Sequence, residues 1–329
     1  MSTHATGPDR RSFEAFNYNL RPAKHIERRL MMEAFQRLSA FHPLKTYRYV
    51  GMGSIYFVDF VLVHRLLGIS DLVSIENQPD PYKQRRFSFN KPFRCVRMMF
   101  EKSTSAVDKL DWKVPSIVWL DYDGKLEPYV FTDVSTVAAR AASGTVLAIT
   151  LNAARELSPR EAERGKTELD KLVKRVPPGK LPQDLSPKDL NGWGLANAIR
   201  RMLCNQIVDT LADRNGALDP ENPMMFRQIF NFQYRDGARM VTVGFLFYRK
   251  ADEPKLDASG ITHVDAYKPS TEAVVIEVPH LTYRELRYFE NQLPCESTAH
   301  IRRVGVSEEE FEAYRKFYRH YPTYAEAWI

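Results

Sequence analysis

The stretch that decides the fold is Tyr47-Arg48-Tyr49-Val50-Gly51-Met52-Gly53-Ser54, a short β-rich run that ends in two glycines one residue apart. An amphipathic, helix-like run over 55–67 follows it directly. After a turn at Gly68, residues 71–76 form a second apolar run, which the carboxylate of Glu76 closes. Strand, glycine loop, helix, strand and terminal acid are together typical of the first half of a nucleotide-binding α/β unit.

Further β-rich runs follow at 94–100, 116–120 and 144–151, and helix-like segments such as 128–142 separate them. This alternation predicts one parallel sheet with helices on both faces. Two more β-rich runs, 225–234 and 239–248, are joined through Asp236-Gly237, which is a hairpin signal. We therefore expect a doubly wound α/β sheet of seven strands that ends in an antiparallel hairpin.

The rest of the chain divides by composition. We predict a flexible tail over 1–16, a main domain over 17–250 with a proline-rich insertion at 153–192, and a linker with a small helical C-terminal appendage over 251–329. A helix precedes the first strand, and Pro22 suits its first turn. We expect Lys24, Arg28 and Arg29 to lie on its solvated face; the alternative is that they reach an anionic ligand. In the C-terminal part, Ser307 and Glu310 have the spacing of a capping box.

The bulk composition excludes several classes of protein. No apolar run approaches the ~18 residues that cross a bilayer, and the polar N-terminus does not resemble a secretion signal. The 3 cysteines form no CxxC pair, which argues against a zinc knuckle or a disulfide framework and suits the reducing cytoplasm. The histidines form no metal-binding pattern. Asp121 and Asp123 could bind a divalent cation, but a metal site normally needs a third ligand and the sequence identifies none, so we expect no metal. The net charge of +6 permits a nucleic acid or another anionic partner without requiring one.

The glycine loop and the acid after the second strand indicate a cofactor site. Glycines allow a ligand to approach the positively polarised start of a helix, and an acid about 20 residues further on accepts hydrogen bonds from ribose hydroxyls. A dinucleotide fingerprint needs a third glycine where this chain has Tyr56, so a pyrophosphate and NAD are disfavoured. S-adenosylmethionine, which has no phosphates, suits the loop better. The candidate cofactor residues here are Gly51, Met52, Gly53, Ser54, Glu76 and Asn77.

These residues, with Asp121-Tyr122 closing the fourth strand and the terminal hairpin, resemble a Rossmann-like S-adenosylmethionine-dependent methyltransferase. With the leading segment 19–28, the chain is similar to bacterial O-methyltransferases. The resemblance implies that Glu101 and Ser103 contact the adenine. The chain also departs from the pattern, because Tyr49 stands where the family places an acid and Ile55 stands where the family places the third glycine of the loop. Asp59 is a possible substitute for that acid.

The most apolar strand ends in Asp121-Tyr122-Asp123-Gly124. Because ligands of open parallel sheets bind beyond the carboxyl ends of strands, these side chains are expected in the acceptor site. Methyl transfer needs an acceptor that loses its proton and is aligned with the methyl group; Asp121 could serve as the base and Tyr122 could orient the acceptor. In other interpretations, Asp121 only holds the cofactor or the loop, or the four residues form a plain turn.

The acceptor and the other partners stay open. Aromatic and basic residues alternate at 82–87 and 314–321, which suits either nucleic-acid stacking or a buried aromatic helix face with cations at its rim. Our leading hypothesis is a methyltransferase that acts on oxygen or nitrogen of a small molecule or a nucleic acid. The alternative is a non-catalytic module that binds adenosine-type ligands or nucleic acid.

Overall fold

The computed structural model describes residues 21–217, 219–295 and 301–322, so the predicted tail over 1–16 lies outside the described residues. The strands are β1 (Arg48–Gly51), β2 (Asp71–Ile75), β3 (Val96–Met99), β4 (Ser116–Asp121), β5 (Thr145–Asn152), β6 (Met224–Asp236), β7 (Ala238–Arg249) and β8 (Val274–Ile276). The α-helices are α1 (Pro22–Gln36), α2 (Val58–Leu67), α3 (Pro81–Phe89), α4 (Ser103–Asp108), α5 (Pro128–Arg140), α6 (Pro159–Glu163), α7 (Glu168–Val173), α8 (Gly194–Asn215), α9 (Glu253–Ala258), α10 (Tyr283–Glu290) and α11 (Glu308–Phe317).

The strands form one sheet in the order β3-β2-β1-β4-β5-β7-β6-β8. The first five strands are parallel, β7 is antiparallel to both β5 and β6, and β8 pairs parallel with β6. Strands β6 and β8 therefore point the same way as β1 to β5. The predicted doubly wound sheet with a terminal antiparallel hairpin is confirmed. The expected count of seven strands is wrong, because the short apolar segment after residue 270 adds β8 to the edge at Phe232–Tyr234 of β6.

Both faces of the sheet are covered by helices. Along β4, Ile117 and Trp119 pack into one core while Val118 and Leu120 pack into the other, as the alternation of side chains along a strand requires. Helices α1, α2 and α9 contribute to the first core, and α4, α5 and α8 contribute to the second. The carboxyl ends of the parallel strands are thus left as the edge where a ligand can enter.

Two helix predictions need correction. The helix after the glycine loop begins at Val58 rather than at residue 55, because Ser54 and Phe57 have left-handed backbone angles, with φ of 50° and 49°. In α1, Lys24 and Arg28 are not solvated: they are only 1% and 4% exposed, and Arg29 is half-buried. Carboxylates at the carboxyl end of the sheet face this side of α1, so its cations are buried in ion pairs.

The insertion and the C-terminal part are partly helical, as expected. Helices α6 and α7 lie in the insertion, and its Leu172 and Leu190 reach the core. The capping box of Ser307 and Glu310 at the start of α11 is confirmed. In the segment 314–321, Tyr314 and Phe317 are buried, which confirms the buried aromatic face there. The domain boundaries stay predictions. None of the helices in the described ranges combines the length and apolar character that a membrane crossing requires.

Candidate functional site

A cavity of about 570 Å³ opens at the carboxyl ends of β1, β2 and β4. It brings together all the predicted site residues except Gly51, namely Met52, Gly53, Ser54, Glu76, Asn77, Glu101, Ser103, Asp121 and Tyr122. A larger cavity of about 720 Å³ lies beside the start of α1, the ends of β6 and β8 and Tyr321, but none of the predicted residues lines it. Because polar groups from several strand ends converge on the first cavity, it is the candidate site.

The glycine loop is fixed by the end of β2. The backbone N–H of Gly53 donates to Ser74 Oγ at 3.2 Å, and the N–H of Ser54 donates to Glu76 Oε1 at 2.8 Å. A Cβ added at Gly53 would lie 2.5 Å from the buried ring of Phe57. Glycine is therefore required here by the packing of the loop on its own chain. Glu76 closes the loop and lines the cavity at the same time.

Tyr49, which stands where the resemblance places an acid, does not line the cavity. It is fully buried, and its hydroxyl would be 2.8 Å from a Cβ built at Gly51. Burial raises the pKa of Tyr49 well above its usual value, and its hydroxyl has no hydrogen-bond partner among the described residues. Tyr49 thus packs against Gly51 of the glycine loop and presents no charge to a ligand.

An ion pair that the sequence did not indicate lies in the cavity wall. Arg28 Nε of α1 donates to Asp59 Oδ1 in the first turn of α2, and both side chains are buried and line the cavity. Burial alone would lower the pKa of Arg28, but Asp59, together with Asp121 and Glu27, outweighs it and raises the pKa, so the guanidinium stays charged. Asp59 was expected as a substitute acid; in the structure its charge is balanced by Arg28.

A second buried pair joins α1 to the end of β4. Lys24 Nζ is 2.9 Å from Asp121 Oδ1 and 2.9 Å from Glu27 Oε2, and it donates to the Tyr234 hydroxyl at 3.1 Å. Burial favours the neutral form of Asp121, but Lys24, with the nearby arginines, outweighs it and holds the pKa below its usual value. A carboxylate of low pKa is charged at pH 7 and is a weaker general base than an ordinary one.

Tyr122 lies beside Asp121 and is held rigidly. Its hydroxyl donates to Asp133 Oδ2 in α5, and its ring packs edge-on against Tyr129 with centroids 5.5 Å apart. Burial, with Asp133, raises the pKa of Tyr122 well above the usual value. Tyr122 therefore keeps its proton at any ordinary pH and offers a fixed ring surface to a ligand.

Glu101 and Ser103, just after β3, complete the cavity wall, and the adenine contact that the resemblance implies for them stays a prediction. Glu101 also forms an ion pair with Lys109 of the segment after α4. Within the described residues, no group of three or more histidine, cysteine, aspartate or glutamate side chains is arranged to hold a metal ion.

Sequence reasoning favoured a solvated position for Lys24 and Arg28 and did not identify Asp133, which accepts the hydrogen bond of Tyr122. A signal for the first two was present: Lys24, Glu27 and Arg28 continue the apolar stripe of Met31 and Phe35 at helical spacing. Charged residues within an apolar stripe are buried only when they are paired. The partners are 31 and 97 residues away in the chain, which hid the pairing.

Several solved structures are similar in part. A mutant of MtNAS in complex with S-adenosylmethionine is 11% identical over 62% of this chain and 56% of that chain, with a TM-score of 0.30. The O-methyltransferase TomG from Streptomyces achromogenes, in complex with SAM, is 13% identical over 66% and 79% of the two chains, with a TM-score of 0.36. TYW2 from P. horikoshii, in complex with MeSAdo, is 10% identical over 65% and 61%, with a TM-score of 0.32. The match thus spans a little over half the length of MtNAS, and nothing about ligand or activity follows from these low scores.

No curated protein matches the chain. A family model does: the one described as "Putative O-methyltransferase" matches residues 16–329. The match includes the glycine loop, the strand ends of the cavity, the insertion and the C-terminal helices. The family expected from the glycine loop, Glu76 and the hairpin is confirmed, and the chain belongs to this O-methyltransferase family.

Proposed function

We propose that this protein is an S-adenosylmethionine-dependent methyltransferase that holds its cofactor in the 570 Å³ cavity and transfers the methyl group to oxygen or nitrogen. The observation that carries the proposal is the glycine loop, whose Ser54 N–H is hydrogen-bonded to Glu76. Beside it lie the carboxylates of Asp59 and Asp121, which form ion pairs with cations of α1. The bound cofactor would supply an electrophilic methyl group on a sulfonium sulfur.

The donor set of the cavity fits the nucleoside end of this cofactor. Its volume lies within the range of small-molecule sites, and apolar Met52 and Ile75 face it together with acids. Glu76 would accept hydrogen bonds from the ribose hydroxyls, with Asn77 beside it. Glu101 and Ser103 would contact the adenine. Tyr56 also lines the cavity, and its side chain would crowd a pyrophosphate. None of the contacts above requires a pyrophosphate.

The amino-acid end of the cofactor carries a carboxylate and an ammonium group. Tyr49 offers no charge to either of them. Two cations, Arg28 and Lys102, line the cavity. Lys102 lies beside Glu101 on the proposed adenine side, whereas Arg28 is paired with Asp59 in the helix that follows the glycine loop. Guanidinium groups bind carboxylates through two parallel hydrogen bonds. We propose that Arg28 binds this carboxylate and that Asp59 holds the guanidinium in position.

Asp121 and Tyr122 would form the acceptor side. With a lowered pKa, Asp121 is suited to accept a hydrogen bond from the acceptor's hydroxyl or amine and to align it, and is less suited to remove the proton before transfer. Tyr122 would provide a flat surface for the acceptor. The cytoplasm is the compartment we propose, in agreement with three cysteines that form no disulfide.

The second candidate, a non-catalytic adenosine-binding module, is favoured by the weak basicity of Asp121. A transfer assay separates the two. Tritiated S-adenosylmethionine is incubated with the protein and a cell extract, and label is counted before and after nuclease or protease digestion. We expect labelled product with the wild type and at least about tenfold less with Asp121→Asn. Binding of the demethylated product, S-adenosylhomocysteine, without any label transfer would favour the non-catalytic module.

A further inference from the structure

Helix α3 presents an unusual stripe of side chains to solvent. Tyr82, Arg85, Arg86 and Phe89 are spaced i, i+3, i+4 and i+7, so they share one face of the helix over about 10 Å. Tyr82 is 79% exposed and Phe89 is 88% exposed, and both arginines between them are exposed. Phe87, on the other side, is buried and anchors α3. We call these four residues the α3 stripe.

The charge around the α3 stripe is strongly one-sided. The segment 81–100 contains six lysines and arginines and no aspartate or glutamate. Arg85, Arg86, Arg94 and Arg97 are exposed, and they form no ion pair with the described residues. Some exposed arginines elsewhere on the surface do pair, as Arg201 does with Asp184 at 2.7 Å. The positive charge of this surface is therefore available to an external anion.

The α3 stripe also lies beside the candidate site along the chain. Glu76 and Asn77 line the cavity just before α3, and Glu101, Lys102 and Ser103 line it just after β3. Lys102 is exposed. A ligand on this segment is thus connected to the cavity by the chain at both ends of the segment.

A simpler explanation covers part of this surface. Strand β3 is at the edge of the sheet, and cations on an edge strand discourage pairing with other proteins. That explains Arg94 and Arg97. It does not explain why the two most exposed aromatic rings of α3 flank two arginines, because exposed rings promote association instead of preventing it.

We propose that the α3 stripe binds single-stranded nucleic acid, with bases stacked on Tyr82 and Phe89 and phosphates paired with Arg85 and Arg86. Every base has a face that stacks on an aromatic ring, and every linkage carries a phosphate, so this combination of side chains matches the polymer's repeating chemistry. The methyl acceptor is then a nucleic acid, an extension that rests on the proposed function. Binding itself does not rest on it.

The test is fluorescence anisotropy with a fluorescein-labelled single-stranded RNA of about twelve nucleotides, and with the same sequence as DNA. Tyr82→Ala/Phe89→Ala removes the rings at constant charge, and we expect binding about tenfold weaker or more. Arg85→Glu/Arg86→Glu should abolish binding; Arg85→Gln/Arg86→Gln should make the slope of log affinity against log salt less steep by about 1.4. The control Arg160→Glu/Arg164→Glu makes the same charge change on exposed positions of the insertion, and we expect an effect below about threefold.

The proposal is overturned if the ring variant binds like the wild type, if the control weakens binding as much as Arg85→Glu/Arg86→Glu does, or if no oligonucleotide binds. It is also overturned if polyglutamate or vesicles of anionic lipid bind the stripe as tightly as the oligonucleotides. S-adenosylhomocysteine affinity is measured on every variant and should not change. If the wild type does not bind S-adenosylhomocysteine, the proposed function is contradicted. The result for nucleic-acid binding by the α3 stripe still stands in that case.

Discussion

At the scale of single residues, Arg28 is the side chain whose role is easiest to isolate. S-adenosylhomocysteine has an amino-acid end, and 5′-deoxy-5′-methylthioadenosine lacks it. If Arg28 binds the carboxylate, Arg28→Gln should weaken S-adenosylhomocysteine by roughly tenfold or more and leave methylthioadenosine unchanged, because only the first ligand loses a charge-assisted bond. Isothermal titration calorimetry with both ligands measures the two changes in affinity.

Two further variants serve as controls for this experiment. Arg28→Lys keeps a cation beside Asp59, so the buried carboxylate stays paired while the two-pronged hydrogen bond is lost. Arg29→Gln changes the neighbouring, half-buried arginine and should leave both affinities unchanged. Equal losses for the two ligands in Arg28→Gln would mean that Arg28 only supports the cavity wall.

Lys24 should matter for stability more than for affinity. Lys24→Met leaves the carboxylates of Asp121 and Glu27 without their shared lysine, and breaking a buried pair in this way costs about 3–5 kcal/mol. Lys24→Met/Glu27→Gln/Asp121→Asn should recover a large part of that loss, since neither carboxylate then stays behind unpaired. Urea denaturation of the three proteins measures it. A loss below about 0.5 kcal/mol in Lys24→Met would contradict the pairing.

The same pair predicts a pH dependence. The pKa of Asp121 is lower in the folded protein than its usual value of 3.8, so its stabilising contribution is present above the unfolded pKa and disappears as pH falls through the folded pKa. The difference in unfolding free energy between wild type and Asp121→Asn should therefore be constant near pH 7 and shrink below about pH 4. A difference that grows on acidification would reverse the assigned sign.

These pairs mark the limit of what the sequence could predict at this scale. Acids that follow strands, such as Glu76 and Asp121, could be placed in the cavity because strand ends meet at one edge of a sheet. Lys24 and Arg28 could not, since their burial depends on partners from other elements. Helical spacing alone fits a solvated face and a paired buried face equally well.

At the scale of elements, the glycine loop gives the clearest prediction. A Cβ in Gly53→Ala would lie 2.5 Å from the ring of Phe57, which is fully buried and has no room to move. We expect a loss of about 1–3 kcal/mol in unfolding free energy and weaker S-adenosylhomocysteine binding.

Gly124→Ala is the matched control, because it changes a glycine of the same cavity whose added Cβ would meet only the Tyr129 hydroxyl, at 3.8 Å. Its unfolding free energy should stay within about 0.5 kcal/mol of the wild type. If the two variants are equally stable, the loop is not packed on Phe57 as described.

Element boundaries were less predictable than the elements themselves. Strongly periodic segments were found with the correct type and nearly the correct ends, as in α5, which was predicted over 128–142 and is observed at Pro128–Arg140. The start of α2 was not, because the left-handed residues Ser54 and Phe57 delay the helix and are neither glycine nor asparagine. Strand β8 was missed as a strand because three residues carry too little alternation to be recognised.

At the scale of the whole molecule, the order of the sheet places the ends of β1, β2, β3 and β4 around one cavity. The fold could be predicted from local sequence patterns, because the alternation of strand and helix recurs several times along a parallel β/α sheet. The charge balance across α1, the second cavity and the exposed α3 stripe did not, because each depends on how distant segments meet.

The central claim is that the cavity at the ends of β1, β2 and β4 holds the methyl donor. Isothermal titration of the wild-type protein with S-adenosylmethionine, S-adenosylhomocysteine and NADH tests it most directly. We expect saturable binding of the first two at one site below about 1 mM, and no binding of NADH. Absence of heat with both sulfur ligands up to that concentration, or saturable binding of NADH in their place, would contradict it.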